Sequence, residues 1–206
     1  MLGNIFSRLT REEPESLSEA QKHFEAGLGL ATKGLYPKAM MEFKLAVRLN
    51  PKFAEARVEL GSTYQKVGQP GKAIKIYLSA LQIRPTLVVA YTNLGAAYEK
   101  VGDFVKALRV YTKAIVLAPQ DAELRNDLGL AYFNIGSYAE AIKAFRQALV
   151  IDPDNSRAHY CLGLVYLDLK DTELALAEHR LLEIRNEKEL TFQLLDKIQR
   201  QAPQAS

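Results

Sequence analysis

Hydrophobic and small residues recur along this chain with one period. Prolines at 51, 85, 119 and 153 close four segments that end alike (Leu49-Asn50-Pro51, Ile83-Arg84-Pro85, Leu117-Ala118-Pro119, Ile151-Asp152-Pro153), 34 residues apart. Gly27, Gly61, Gly95, Gly129 and Gly163 keep the same step, with Leu60, Leu94, Leu128 and Leu162 just before four of them and Tyr64, Tyr98, Tyr132 and Tyr166 three residues after. A second series follows: Ala39, Ala73, Ala107, Ala141 and Ala175, then Phe43, Tyr77, Tyr111 and Phe145, then Ala46, Ala80, Ala114 and Ala148. Leu, Gly and Tyr at offsets of one, three and four share one face of a first helix, and Ala, aromatic and Ala share one face of a second. Gly34, Gly68, Gly102 and Gly136 fall between the two, where a turn calls for positive φ. Each unit is therefore expected to be a helical hairpin, too small to bury its own apolar faces, that must stack on its neighbours.

The register of Leu-Gly, Tyr, Ala, aromatic, Ala and Pro resembles the tetratricopeptide repeat (TPR) family. The resemblance implies an all-α fold, a right-handed α-solenoid of stacked antiparallel helix pairs. It covers five units, 20–53, 54–87, 88–121, 122–155 and 156–189. The end units depart from the pattern: the first has Ala26 and Leu30 for Leu and Tyr. The last has Lys170 for Gly, His179 for the aromatic, Leu182 for Ala and Glu187 for Pro. Residues 190–200, with Leu190, Leu194, Leu195 and Ile198 on one side, read as a capping helix, and 201–206 as a disordered tail. Ahead of the array, residues 1–19 carry Leu2, Ile5, Phe6 and Leu9 at helical spacing, a short amphipathic segment that could meet a membrane surface or a partner, or fold back as a tail. Ser16 and Glu19 have capping-box spacing and are expected to open the first helix.

Composition agrees with helices: 30 Leu and 26 Ala in 206 residues, against 12 Gly and 8 Pro. One Cys forms no internal disulfide, and no apolar run approaches the roughly 20 residues of a spanning helix. A cytoplasmic location is the expectation, peripheral to a membrane if the N-terminal segment engages one. A net charge of +3 does not argue for nucleic acid.

Catalytic and cofactor motifs are missing from the pattern. Gly71-Lys72 lacks the hydroxyl and leading Gly of a phosphate-binding loop, and Gly27 and Gly29 read as a helix-packing pair with no strand before them. His23, His159 and His179 lack metal-ligand spacing and are expected to be structural, as is Cys161. The expectation is a non-enzymatic chain with no metal and no cofactor.

The face opposite Leu-Gly on each first helix is the one that, by the family resemblance, lines a concave groove. It carries Glu25, Glu55, Glu59, Glu99, Glu123, Asp127 and Asp168 against Lys66, Lys100 and Arg157, while the second helices are mostly basic. An acidic groove should prefer a neutral or basic peptide and repel the acidic tails that chaperone-adaptor members of the family clamp. Asn93 resembles the peptide-gripping asparagines of such arrays. Glu59, Asn93, Glu123, Asn126, Asp127, Leu130, Phe133, Asn134, Tyr160 and Leu164 are the candidate contact residues, with Phe133 beside Leu130 either forming an apolar anchor or packing against a neighbouring first helix. The sequence thus reads as a protein-binding adaptor or assembly scaffold. Recruitment to an anionic membrane through the N-terminus and basic convex face, and self-assembly, stay open beside it.

Overall fold

The computed structural model describes residues 14–201. The Leu2–Leu9 segment and the 202–206 tail lie outside them. The described residues form eleven α-helices and no strand: α1 (Pro14–Thr32), α2 (Tyr36–Leu49), α3 (Ala54–Lys66), α4 (Pro70–Ile83), α5 (Val88–Lys100), α6 (Phe104–Leu117), α7 (Ala122–Asn134), α8 (Tyr138–Ile151), α9 (Ser156–Asp168), α10 (Thr172–Ile184) and α11 (Lys188–Gln201). They divide into two compact units, one ending at Val101 and one beginning at Gly102.

Local chemistry sets the ends of the helices. Gly34, Gly68, Gly102 and Gly136 have φ of 73–77°, the left-handed conformation that closes a helix at little cost for glycine. At the other turns, Asn50, Arg84, Ala118 and Asp152 each stand before a proline, which steers them out of the helical region. Each still donates its N–H to the carbonyl four residues back, at Ala46, Ala80, Ala114 and Ala148. Helix α1 starts at Pro14, earlier than the capping-box spacing suggested, so Ser16 lies inside the first turn.

Asp103, Asp121, Asn155 and Asp171 each accept a backbone N–H at the start of α6, α7, α9 and α10 in the second unit, whereas the residues preceding α2 and α4, Leu35 and Gln69, make no side-chain cap and proline stands in the first turn instead.

In the first unit α1 packs on α2, α3 on α4, and α2 and α4 also meet the helices that follow them. The alanine and aromatic series are fully buried: Ala39, Phe43 and Ala46, then Ala73, Tyr77 and Ala80. Small residues bring the helices together. A Cβ on Gly27 would lie 2.6 Å from the Phe43 ring, and one on Gly61 2.5 Å from the Tyr77 ring. Gly29, expected to share in this packing, has nothing within 4 Å and faces solvent. Its place two residues from Gly27 turns it away from the contact.

The second unit repeats this arrangement in α7–α8, where Gly129 receives Phe145. Its far end is different. Gly163 of α9 faces Leu194 of α11, whose Cδ2 would lie 2.6 Å from an added Cβ, in place of the residue from α10 that holds the aromatic position. That residue, His179, is buried with Nδ1 3.7 Å from Glu183. Leu194 and Ile198 close the unit's core beside Leu162, Val165 and Leu182. Two residues other than glycine take positive φ here, Lys170 (62°) and Asn186 (57°), at the turns before α10 and α11.

Candidate functional site

In the first unit, Glu59 of α3 and Asn93 of α5 are half-buried. Asn93 donates Nδ2–H to Ser62 Oγ at 3.3 Å. Ser62 Oγ lies 3.2 Å from the Tyr77 hydroxyl and donates to it, while the single Tyr77 O–H donates to Gln65 Oε1 at 2.6 Å. Asn93 is thus the open end of a chain of hydrogen bonds joining α5, α3 and α4, with an amide oxygen still able to accept. Burial raises the Tyr77 phenol to about 12, so it stays a donor at neutral pH. Burial also raises the Glu59 carboxyl above its ordinary value, and no cation pairs with it among the described residues. Glu55, counted with the acidic face, is paired with Arg84.

In the second unit three of the predicted polar residues, Glu123, Asn126 and Asp127, form one cluster with Asn155 and Arg157. Arg157 of α9 donates Nη1–H to Glu123 at 2.7 Å and Nη2–H to Asp127 at 2.8 Å, clamping α7 to α9. Glu123 also accepts from Asn155 Nδ2 at 2.7 Å and Asn126 Nδ2 at 3.2 Å. Burial pushes its carboxyl up, but these hydrogen bonds and the guanidinium outweigh it and the net shift is downward. Asp127 shifts upward: its burial exceeds the attraction of Arg157.

Two expectations change here. Asn126 is not available to grip a peptide. It is fully buried, with Nδ2 2.8 Å from Asn155 Oδ1, and that same oxygen caps α9 through the Ala158 N–H. The groove face of this unit is also not a free acidic surface. Arg157 neutralises part of the Glu123–Asp127 pair, and Asp168 accepts from the Tyr138 hydroxyl at 3.3 Å.

Apolar candidates come together on the same side. Leu130 and Phe133 of α7 and Tyr160 and Leu164 of α9 are half-buried against the unit's core. The Phe133 ring lies 5.9 Å from that of Tyr138 on α8, the second helix of its own hairpin and not a neighbouring first helix, and it lines a cleft of about 300 Å³ with Leu164, Leu167 and Asp168. Asn134 is exposed at the end of α7. Helix α11 supplies the rest of the cleft wall, Lys197, Arg200 and Gln201. The sequence reading missed these three because α11 stands outside the 34-residue period; Lys197 and Arg200 lie on the polar side of the 190–200 amphipathic pattern, and Gln201, expected in the disordered tail, is the last residue of α11.

The histidines are tied into helix packing. His23 Nδ1 lies 2.6 Å from Glu42, and His159 Nδ1 lies 2.7 Å from Glu178, the same two positions four periods apart. Cys161 is buried and its thiol pushed up to about 12 by desolvation.

Three tetratricopeptide family models match: a TPR repeat at residues 131–170, and tetratricopeptide repeats at 52–120 and 110–143. The chain is a tetratricopeptide repeat protein. Among solved structures, this TPR protein is similar to MamA, at 28% identity and TM-score 0.71 over 79% of this chain and 95% of that one. It is also similar to a thermophilic TPR protein of Thermus thermophilus, at 25% identity and TM-score 0.70 over 87% and 98%. MamA from Desulfovibrio magneticus, at 23% identity, shares the fold with TM-score 0.74 over 82% and 96%. Among curated proteins, none matches the sequence of this chain. The fold is one of protein–protein interaction and scaffolding. Among the described residues, no helix is long and apolar enough to cross a membrane, and no three His, Cys, Asp or Glu side chains are grouped to hold a metal.

Proposed function

We propose that this TPR protein is a non-enzymatic adaptor that holds a neutral peptide segment of another protein against α7 and α9. The observation that carries this is the cleft bounded by Phe133, Leu164 and Leu167, with Leu130 and Tyr160 half-buried nearby. Half-buried aromatic and aliphatic groups around a cleft large enough for one side chain are what an anchor residue needs. Asn134 stands exposed beside them, able both to donate to and accept from an extended backbone. The neighbouring charges are partly paired: Glu123 and Asp127 share the one Arg157, Arg200 pairs with Asp196, and the cleft wall itself carries Asp168 and Lys197, of opposite sign. That balance argues for a neutral segment over a strongly basic one. Asn93 and Glu59 would make a separate polar contact on the first unit.

The test is capture of partners from the native host by the intact chain and by Phe133→Ala/Tyr160→Ala, read by mass spectrometry, with helicity checked by circular dichroism. A partner bound by the intact chain and lost from the folded variant supports the reading. A partner set unaffected by the two substitutions overturns it.

A further inference from the structure

In three hairpins the aromatic of the second helix rests on the glycine of the first: Phe43 on Gly27, Tyr77 on Gly61 and Phe145 on Gly129. In the last hairpin Leu194 of α11 takes that seat on Gly163, and position 179 holds His. The His179 side chain goes instead into the wall of a second cleft, of about 410 Å³, with Glu183 of α10 and Lys188, Thr191, Phe192 and Leu195 of α11. This cleft shares no residue with the one at Phe133.

Two polar atoms of its wall are buried without a hydrogen bond among the described residues. His179 is 6% exposed and its Nε2 has no partner, while Nδ1 stands 3.7 Å from Glu183, beyond bonding distance. The Thr191 hydroxyl, on the facing helix, is likewise unpaired. Folded proteins seldom leave such groups without partners. The fold does not require a polar side chain at this step either, since the other four hairpins hold Phe43, Tyr77, Tyr111 and Phe145 there. The rest of the wall is apolar in Leu195, half-buried, and in Phe192, 70% exposed, with one charge of each sign in Glu183 and Lys188.

We infer that this cleft binds a tyrosine side chain of a partner protein, independently of the α7–α9 cleft. A phenol ring suits the apolar wall of Phe192 and Leu195, and its hydroxyl serves both orphaned atoms in either protonation state of His179. It donates to a bare Nε2 and accepts from Thr191, or accepts from Nε2–H and donates to the Thr191 oxygen. An indole N–H only donates, so tryptophan would serve one atom; an aliphatic side chain would serve neither. A carboxylate or phosphate would meet Glu183 with Lys188 alone to offset it. The volume lies within the range of side-chain and small-ligand sites. Exposed rings reorient within nanoseconds, so Phe192 swinging aside would open the way to the two buried atoms.

The experiment titrates the isotope-labelled full chain with p-cresol, the tyrosine side chain alone, and with toluene, the same ring without its hydroxyl, followed by NMR. The expected result is saturable shifts at His179, Thr191 and Phe192, with toluene binding at least about threefold more weakly for want of the hydrogen bonds. His179→Phe restores the aromatic of the other hairpins and Thr191→Val keeps the shape of the side chain; each, with helicity checked by circular dichroism, should shrink the preference for p-cresol. The protein source is read by p-benzoylphenylalanine at Phe192 in the native host. The expected crosslink is to a tyrosine-containing peptide of another protein, its yield falling at least about threefold in His179→Phe and persisting in Phe133→Ala/Tyr160→Ala. No saturable shift, equal affinity for the two probes, or a preference that survives both substitutions would overturn the site. Binding of p-cresol with no protein crosslink, or a crosslink only to a second copy or to peptides without tyrosine, would overturn the partner. Loss of the crosslink in the Phe133→Ala/Tyr160→Ala chain would refute its independence of the α7–α9 cleft.

Discussion

Gly27 and Gly29 stand two residues apart on α1, and alanine should move stability in opposite directions at the two. At Gly29 the new methyl meets nothing within 4 Å. The change removes backbone freedom from the unfolded chain and gains helix propensity, a stabilisation of about 0.5–1 kcal/mol. At Gly27 the methyl would lie 2.6 and 2.7 Å from Cε1 and Cδ1 of Phe43, and 3.0 Å from Cζ. Carbon pairs rest at about 3.5–4.0 Å, so α1 and α2 must part by roughly 1 Å. The ring cannot turn aside, being fully buried, with the Phe24 ring 5.9 Å away. Overpacking of this kind costs about 1–3 kcal/mol, and a rigid ring facing a rigid helix belongs at the upper end. Against the same propensity gain, Gly27→Ala should lose about 2 kcal/mol net. Urea unfolding followed by ellipticity at about 222 nm, the helical band, measures both. Truncating the ring in Gly27→Ala/Phe43→Leu should recover part of the loss, giving a favourable coupling in the double-mutant cycle. A Gly27→Ala protein as stable as wild type, or a Gly29→Ala protein equally damaged, would refute the close approach as the reason for glycine at this step.

Lys170→Gly should raise stability by about 0.5–1 kcal/mol, because lysine there holds a φ of 62° that four glycines adopt at the other hairpin turns; thermal unfolding checks it. Glu59→Gln should stabilise at pH 7 and not at pH 4. Burial raises the folded carboxyl above its ordinary 4.5, so the wild type's share of stability is fully present below 4.5 and lost as pH rises through the folded value. Denaturation midpoints across that range, for wild type and variant, test the sign. Asn155→Ala should cost about 2–4 kcal/mol, combining loss of the α9 cap with a buried Asn126 amide left short of a partner; urea unfolding reads it, and a cost under about 0.5 kcal/mol would dismiss the network. Cys161, buried and with its thiol held near 12, should resist iodoacetamide at pH 8 in the folded protein and react once urea unfolds it, as mass spectrometry would record.

How much of this was legible depends on whether a residue answers to its own hairpin or to the next. The buried alanines and aromatics and the positive-φ glycines each serve one hairpin, so a single period displays them. Arg157 does not: its carboxylates sit 30 and 34 residues away on another helix, and counting charges on one face does not show that two of the acids share one guanidinium. Asn126 occupies a position held by Phe24, Val58 and Thr92 in earlier units. Only its partner Asn155, in the loop before α9, explains why a polar side chain is buried there. The cleft wall from α11 lay beyond reach for a different reason, since Lys197, Arg200 and Gln201 belong to no repeat and their orientation is set by where Leu194 seats on Gly163.

The Asn126–Asn155 contact gives the second unit a mechanical character. Side-chain amides hold each other only over a few tenths of an ångström, whereas aliphatic packing yields gradually as surfaces slide. Pulled along the stacking direction, α7 and α9 should behave as a brittle joint: stiff until the amides and the Arg157 clamp part, then giving way at once. The α3–α5 step of the first unit, where Asn93 donates to Ser62 over a longer 3.3 Å, should behave as a softer spring. The chain would then store strain unevenly along its length, keeping the geometry around Phe133 and Leu164 nearly fixed while the first unit flexes.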